Sequence, residues 1–390
     1  MRASGIFLSR HHTQAILREV DPVGVDRRLQ RLERRRDKRY LTPGPNYIWS
    51  IDGHLKLQPY GIEIYACIDA FSRNIIWTYV GHTARTALSV VNQYINVVEN
   101  QGYIPQIVRS DYGSETFWIA DTHVTLVEQA KGGEVDFNTT WWYSKSTDNV
   151  RIESWWQQLS ARQLGSWRIY FFKLKETRQY QDVALDRITV AAIFMRYIRR
   201  EVAQFVYLWN THTIRKQNDR PYLVTGKPWA LHANMDGERE DYKINITPDQ
   251  LAAIRSRVPL FDVEYYLPEA TLLWCETWLK DNGYSTILDC SYEKDVQSGQ
   301  HLFHHAYCAL REAIHAHAVE HPGELHELPK PRNARADNLR GVQGARADVR
   351  AAMDDNLDHY GLEEDEIDGV DDDPALQLAT QVDGDVGIVD

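Results

Sequence analysis

The chain has 390 residues, 43% of them hydrophobic and 25% charged, with 12 Trp, 21 Tyr and a formal net charge of −11. That length and apolar content are enough for two cores. The sequence holds no apolar run of about 18 residues, which excludes a membrane-spanning helix, and no signal peptide is visible, so a soluble intracellular protein is expected.

The acidity is unevenly placed. From residue 321 onward there are 18 Asp/Glu against 6 Lys/Arg, a balance of −12, so residues 1–320 carry +1. A nearly neutral body still binds nucleic acid where its basic residues cluster, because phosphate contacts depend on local charge. The four cysteines, Cys67, Cys275, Cys290 and Cys308, are scattered without C-x-x-C pairs. They read as reduced thiols of the cytosol or nucleus and make no zinc ribbon.

Residues 1–42 form a basic, helical N-terminal segment: residues 1–40 hold 11 Lys/Arg against 5 Asp/Glu, with Arg34, Arg35, Arg36, Lys38 and Arg39 nearly contiguous. The readings are a DNA-contacting helix, a nuclear import signal, or a solvated helix face. After the breaker Pro43-Gly44-Pro45, the aromatic and β-branched residues Tyr47, Ile48, Trp49 and Ile51 predict a buried strand. Asp52 falls inside that apolar strand, and a carboxylate there needs a partner; for several carboxylates together, a divalent metal serves. His54, two residues on, points to the same side, either toward a substrate phosphate or as a lone polar strand residue.

A second strand runs toward Ile68-Asp69-Ala70-Phe71-Ser72-Arg73, where Asp69 reads as an Asx-turn residue in preference to a catalytic one. An apolar helical period at Ala87, Val90, Val91, Tyr94, Ile95 and Val98 leads to the short strand 106–109, which delivers Asp111 into the turn Ser110-Asp111-Tyr112-Gly113-Ser114-Glu115. Glu115 and Asp121 read as surface or supporting residues. Ser146-Thr147-Asp148-Asn149 is a polar N-cap cluster, and on the helix that follows Asn149, Glu153, Trp156 and Gln157 share a face. Two strand-end aspartates and one helical glutamate can therefore converge.

Beyond them, Arg151, Arg162, Arg168, Lys173 and Lys175 interleave with Trp155, Trp156, Trp167 and Tyr170. The cations, Arg151 and Lys173 in particular, suit phosphate contact or a rim, and the tryptophans read as core. Val190, Phe194, Ile198, Val202, Phe205 and Trp209 predict a long helix over 186–210. Residues 211–229 are polar and Pro-rich. Residues 233–322 read as a separate, mostly helical module, with a capped start at Thr247-Pro248-Asp249-Gln250. Within it His301, His305 and Cys308 suggest either a metal-binding face or ordinary helix packing. Residues 323–390 form an acidic tail expected to be disordered, free to mimic nucleic acid, to bind a basic protein partner, or merely to solubilise.

Three motifs in order, Trp49-Ser50-Ile51-Asp52 with the Ile68–Arg73 turn, Arg109–Glu115, and Asn149–Glu153, resemble the catalytic core of retroviral-type integrases and DDE transposases. The match is nearest to transposon-derived integrase-core proteins of fungi and animals, whose core lies between Gly-Pro-Asn and Trp-Asn-x-His; here these are Gly44-Pro45-Asn46 and Trp209-Asn210-Thr211-His212. The resemblance covers about residues 20–232, with the catalytic core over 43–232. The 42 positions from Asp111 to Glu153 exceed the retroviral spacing, and Tyr112 stands where the family often has Asn. It implies an α/β, RNase H-like mixed sheet flanked by helices. It also implies two-metal phosphoryl transfer on DNA with two Mg2+ or Mn2+ ions, Asp52 bridging them and Asp111 and Glu153 each holding one. Asp52, Asp111 and Glu153 are thus both catalytic and metal-binding candidates. Nucleic-acid candidates are Arg35, Arg36, Lys38, Arg39, His54, Asn149, Arg151 and Lys173. The functions in view are a nuclear DNA integrase or transposase working as a homo-oligomer on DNA, a host-recruited DNA-binding relative without catalysis, and an RNase H-like nuclease without strand transfer.

Overall fold

Strand β1 (Ile48–His54) is antiparallel to β2 (Glu63–Asp69), which is antiparallel to β3 (Ile75–Gly81). On its other side β1 runs parallel to β5 (Ile107–Ser110), and β5 runs parallel to β6 (Trp141–Tyr143), giving a mixed sheet ordered β3-β2-β1-β5-β6. The computed structural model describes residues 19–20, 42–144, 149–216, 223–237, 239–284, 301, 303–329, 337–338, 341 and 344–352. Pro43–Ile367 form one compact unit; of the other, Met1–Thr42 with Asp368–Asp390, only residues 19, 20 and 42 are described. The candidates Arg35, Arg36, Lys38 and Arg39 therefore lie outside the described residues, as does the tail from 353 onward.

Side-chain alternation divides the sheet between two cores. Trp49 and Ile51 of β1, with Tyr65 and Cys67 of β2, pack under α1 (Ala87–Gln101) and α2 (Phe117–Lys131). Ile64, Ala66 and Ile68 face the opposite way, into a cluster built with α3 (Val150–Leu159), α4 (Gly165–Glu176) and the long α5 (Ala184–Thr211). The even-numbered β1 residues share that second side, so Asp52 and His54 look toward α3. The tryptophans Trp155, Trp156 and Trp167 are all buried in this cluster, as the sequence reading expects. A five-residue π-helical turn, Ser160–Leu164, joins α3 to α4.

The quoted flanking motifs are structural hubs. Asn46 sits at φ 59°, a left-handed conformation that Asn tolerates better than most residues. Its backbone N–H donates to Asp69, its amide donates to Asp241, and its carbonyl oxygen accepts from the Trp49 indole. A Cβ on Gly44 would stand 2.2 Å from the Glu240 carbonyl oxygen, so only glycine allows this approach. Asp69 is fully buried and accepts from Ser72 N at 2.7 Å and Ser72 Oγ at 2.6 Å, the Asx-turn role expected of it. At the other end Trp209 donates to the Arg73 carbonyl and Asn210 pairs with both backbone groups of Ile75, locking α5 onto the β2–β3 turn.

Residues 233–322 do not stand apart as the sequence reading expects. Strand β4 (Tyr103–Ile104) pairs with β7 (Ile244–Asn245), and α7 (Pro248–Arg255) packs beside α1, where Arg255 bridges Glu99 at 2.7 Å. Between β5's end of the core and α7, the short α6 (Pro228–His232) places His232 against Asn46. The chain then crosses to the other side, where α8 (Glu269–Asp281) and α9 (His304–Glu320) bury Cys275, Leu279, Tyr307, Leu310 and Ile314 in the cluster around α5. Their apolar faces complete the two cores, and exposing them would forfeit about 1.5–3 kcal/mol per large side chain.

Two further expectations change. Phe303 takes φ 66° and α9 begins only at His304, so His301 is off the helix and stacks on Tyr170 at 4.1 Å. Cys308 lies instead beside His304, Sγ to Nε2 3.6 Å. Within the stretch expected to be disordered, the described part is anchored: Leu325 and Val349 are buried, Arg346 bridges Glu128 at 2.9 Å, and Asn338 caps the start of α1 through Ala87 N. Single apolar residues in a polar background suffice where a preformed surface receives them.

Candidate active site

Helix α3 and the residues that flank it are laced to β1 by three side-chain hydrogen bonds. Asn149 donates from Nδ2 to the Ile51 carbonyl at 3.2 Å, the Trp156 indole N–H donates to Asp52 Oδ2 at 2.8 Å, and His54 Nε2 pairs with Ser160 Oγ at 3.0 Å. The spacing explains the register: 52 and 54 recur with the strand period on one face, and 156 and 160 recur with the helical period on one stripe. Glu153, three residues before Trp156, is carried on the same stripe. Asn149 thus ties strand to helix and makes no side-chain cap, contrary to the capping expected of it; the rest of that polar cluster, residues 146–148, lies outside the described residues.

Asp52 and Asp111 come from neighbouring parallel strands, β1 and the turn after β5. Burial first, then the charges of Asp111 and Glu153, push the Asp52 carboxyl well above the usual carboxylate range, while Trp156 and the Gly53 N–H pull it back. Asp111 is raised by burial and opposed by the Gly113 backbone N–H. Glu153 is raised by burial and by Asp111, and lowered by Lys56. Asp52 thus feels the charges of Asp111 and Glu153, and Glu153 feels that of Asp111, which is a statement of proximity as well as of cost. Among the described residues no three His, Cys, Asp or Glu side chains close into a cage for a metal ion. The donor set nonetheless fits hard divalent cations: it is all-oxygen, its repulsion is what a cation relieves, and Mg2+ binds through one or two carboxylates completed by water and substrate phosphates.

A raised carboxyl contributes stability that is fully present below its unfolded value of about 4 and lost as pH rises through the folded value. In metal-free buffer Glu153→Gln therefore raises the thermal midpoint at neutral pH, and the gain shrinks toward zero near pH 4. A scanning-calorimetry series across pH checks this; a lower midpoint at neutral pH would contradict it.

His54 is corrected as a phosphate contact. It is 7% exposed, its ring is pushed down to about 3 by burial and by Lys56 and Arg168, and it is neutral at physiological pH. A buried neutral imidazole holding Ser160 has no charge to offer a phosphate. Arg151 is half-buried and Lys173 exposed on α4. Lys56 and Tyr65 border the site without any sequence motif to mark them. Lys56, just after β1, carries the positive charge felt by Glu153 and His54. Tyr65 is buried beneath the site, its hydroxyl held protonated by burial and by the charges of Glu115, Asp111 and Asp52. Glu115 therefore belongs to the acidic neighbourhood and not to the remote surface. Asp121, by contrast, accepts from the Arg346 backbone N–H. Tyr112 stacks on Tyr143, ring centroids 5.8 Å apart, which accounts for an aromatic residue after Asp111.

A mixed sheet with strand-end aspartates on β1 and β5 and a glutamate on the helix that follows agrees with one family model, which matches residues 39–225 and is described as an integrase core domain. Residues 39–225 are an integrase core domain. The integrase core family is of the polynucleotidyl transferase type and binds nucleic acid. A search of curated proteins gives no match. Asp52, Asp111 and Glu153 all lie within the matched span. No helix among the described residues is long and apolar enough to cross a membrane.

Proposed function

We propose that the chain is a DDE-type polynucleotidyl transferase, an integrase or transposase acting on DNA by metal-dependent phosphoryl transfer. What supports the proposal is the layout of three elements: Asp52 on β1, Asp111 just after the parallel neighbour β5, and Glu153 on α3 one turn before Trp156, whose indole holds Asp52. Asp52, Asp111 and Glu153 would hold two Mg2+ or Mn2+ ions. Such ions, when bound, activate the attacking oxygen and stabilise the leaving 3′ oxygen of a phosphodiester.

The chain's own residues have distinct tasks. Asp52 is fixed by two donors, Gly53 N and the Trp156 indole, so its carboxylate cannot rotate freely. Glu153 rides on α3, whose position is set by the bonds to β1. Lys56 and Arg168 bring positive charge to the rim beside His54, suited to the phosphates on either side of the reacting one. Arg151 and Lys173 extend that charge along α3 and α4. A nuclear location, assembly of copies on paired DNA ends, and a basic partner for the acidic tail belong to the same proposal, supported by the reduced-thiol pattern, the basic run at 34–39 and the charge of residues beyond 321.

A second reading, an integrase-core protein that binds nucleic acid without chemistry, is supported by the positive charge of Lys56 and Arg168 beside His54, which serves phosphates with or without a cation. An RNase H-like nuclease would share the site but release its product unjoined. Incubating the full chain with a labelled duplex DNA end and target DNA in Mg2+ or Mn2+ separates the three. Joined products support the proposal, cleavage without joining supports the nuclease, and DNA binding without metal-dependent cleavage supports the second reading.

A further inference from the structure

We infer that Trp156 is a positioning residue for the metal-binding carboxylate Asp52, acting through its indole N–H; this rests on the transferase reading above. The indole donates to Asp52 Oδ2 at 2.8 Å while the backbone N–H of Gly53 donates to Oδ1 at 2.8 Å. One donor on each oxygen fixes both the tilt and the twist of the carboxylate plane. Trp156 is itself held: it is 5% exposed, its ring centroid lies 5.1 Å from that of His54, and the His54–Ser160 bond closes the next turn. A rigid donor on α3, one turn from Glu153, makes the placement of Asp52 depend on the placement of Glu153. Two carboxylates that must serve the same cations are thereby set in register before either cation arrives, and partners of this kind typically change metal affinity by about 10–100-fold when removed.

The neighbouring indole supplies the control. Trp155 is fully buried in the same cluster, and its N–H has no hydrogen-bond partner. Trp155→Phe therefore removes ring volume and an N–H from the same helix without touching Asp52.

The experiment is Mn2+ titration of the full chain followed by electron paramagnetic resonance, with thermal midpoints recorded in parallel, for wild type, Trp156→Phe and Trp155→Phe. The expected result is Mn2+ affinity weakened roughly tenfold or more in Trp156→Phe and unchanged in Trp155→Phe, although both lower the midpoint. Equal affinity in wild type and Trp156→Phe overturns the inference and leaves the transferase reading standing; no Mn2+ binding by wild type overturns both. Should Trp156→Phe fail to fold, indole 15N resonances of the wild type decide. The resonance displaced in Asp52→Asn must also move when Mg2+ is added, and one that stays fixed overturns the inference.

Discussion

Asp111→Asn and Glu153→Gln are each expected to abolish metal-dependent joining of a DNA end while leaving the chain folded and able to bind DNA. The substitutions keep size and shape and remove one anionic oxygen donor each, so the loss falls on the chemical step. A reduction of at least about a thousandfold, ~4 kcal/mol of transition-state stabilisation, is expected for a group that holds a cation at the reacting phosphate. Glu153→Gln carries a second signature, since the same substitution raises the metal-free thermal midpoint at neutral pH. Lost activity together with gained stability is what a strained functional carboxylate gives, and a structural residue would lose both. Joining at wild-type rates by either variant would remove that carboxylate from the active site.

The second large effect lies far from the carboxylate centre. Asp186, on the first turn of α5, has its side chain fully buried and accepts from Arg311 Nε at 2.7 Å, from His315 Nε2 at 2.8 Å and from the Gln181 backbone N–H at 2.6 Å. Burial alone would raise its carboxyl, but the Arg311, His315 and Gln181 hydrogen bonds prevail and hold it below the usual carboxylate value. Asp186→Ala leaves the Arg311 guanidinium without its buried partner and removes the polar tie between α9 and α5, at a cost of about 3 kcal/mol. A depressed carboxyl contributes stability that is present above its unfolded value of about 3.9 and lost as pH falls through the folded value. Urea denaturation thus gives the full difference from wild type at neutral pH and a smaller one on acidification below pH 4. A difference under about 0.5 kcal/mol at pH 7 would show that α9 is held by its apolar face alone.

What was legible in the sequence follows a physical division. Asp52, Asp111 and Glu153 stand out as candidates because a carboxylate at the end of an apolar strand, or on a helix face beside apolar neighbours, is costly unless shared. Asp69 could be set aside because an Asp followed by a Ser three residues on makes a local turn, and its partner is indeed Ser72. The start at Thr247 was equally local: Thr247 and Gln250 form a full capping box. Contacts between distant segments were not legible. Nothing in the residues around 248 says that they cover α1 while those around 307 cover α5, and a tail that looks too polar to fold carries Val349 and Arg346 to a prepared site. The choice between the two readings of His54, and the inward turn of Asn149, were hidden for the same reason. Both are polar residues in good position for substrate, and only the approach of α3 to β1 turns them inward.

The central claim is that three carboxylates on β1, on the turn after β5 and on α3 jointly hold the cations of a phosphoryl-transfer site. Anomalous diffraction from crystals of the chain with a DNA end, soaked in Mn2+, tests it most directly. The expected map has two Mn2+ peaks among the carboxylates of Asp52, Asp111 and Glu153, at least one of them touching Asp52. Mn2+ peaks confined to other acidic surfaces, with none touching Asp52, would contradict it.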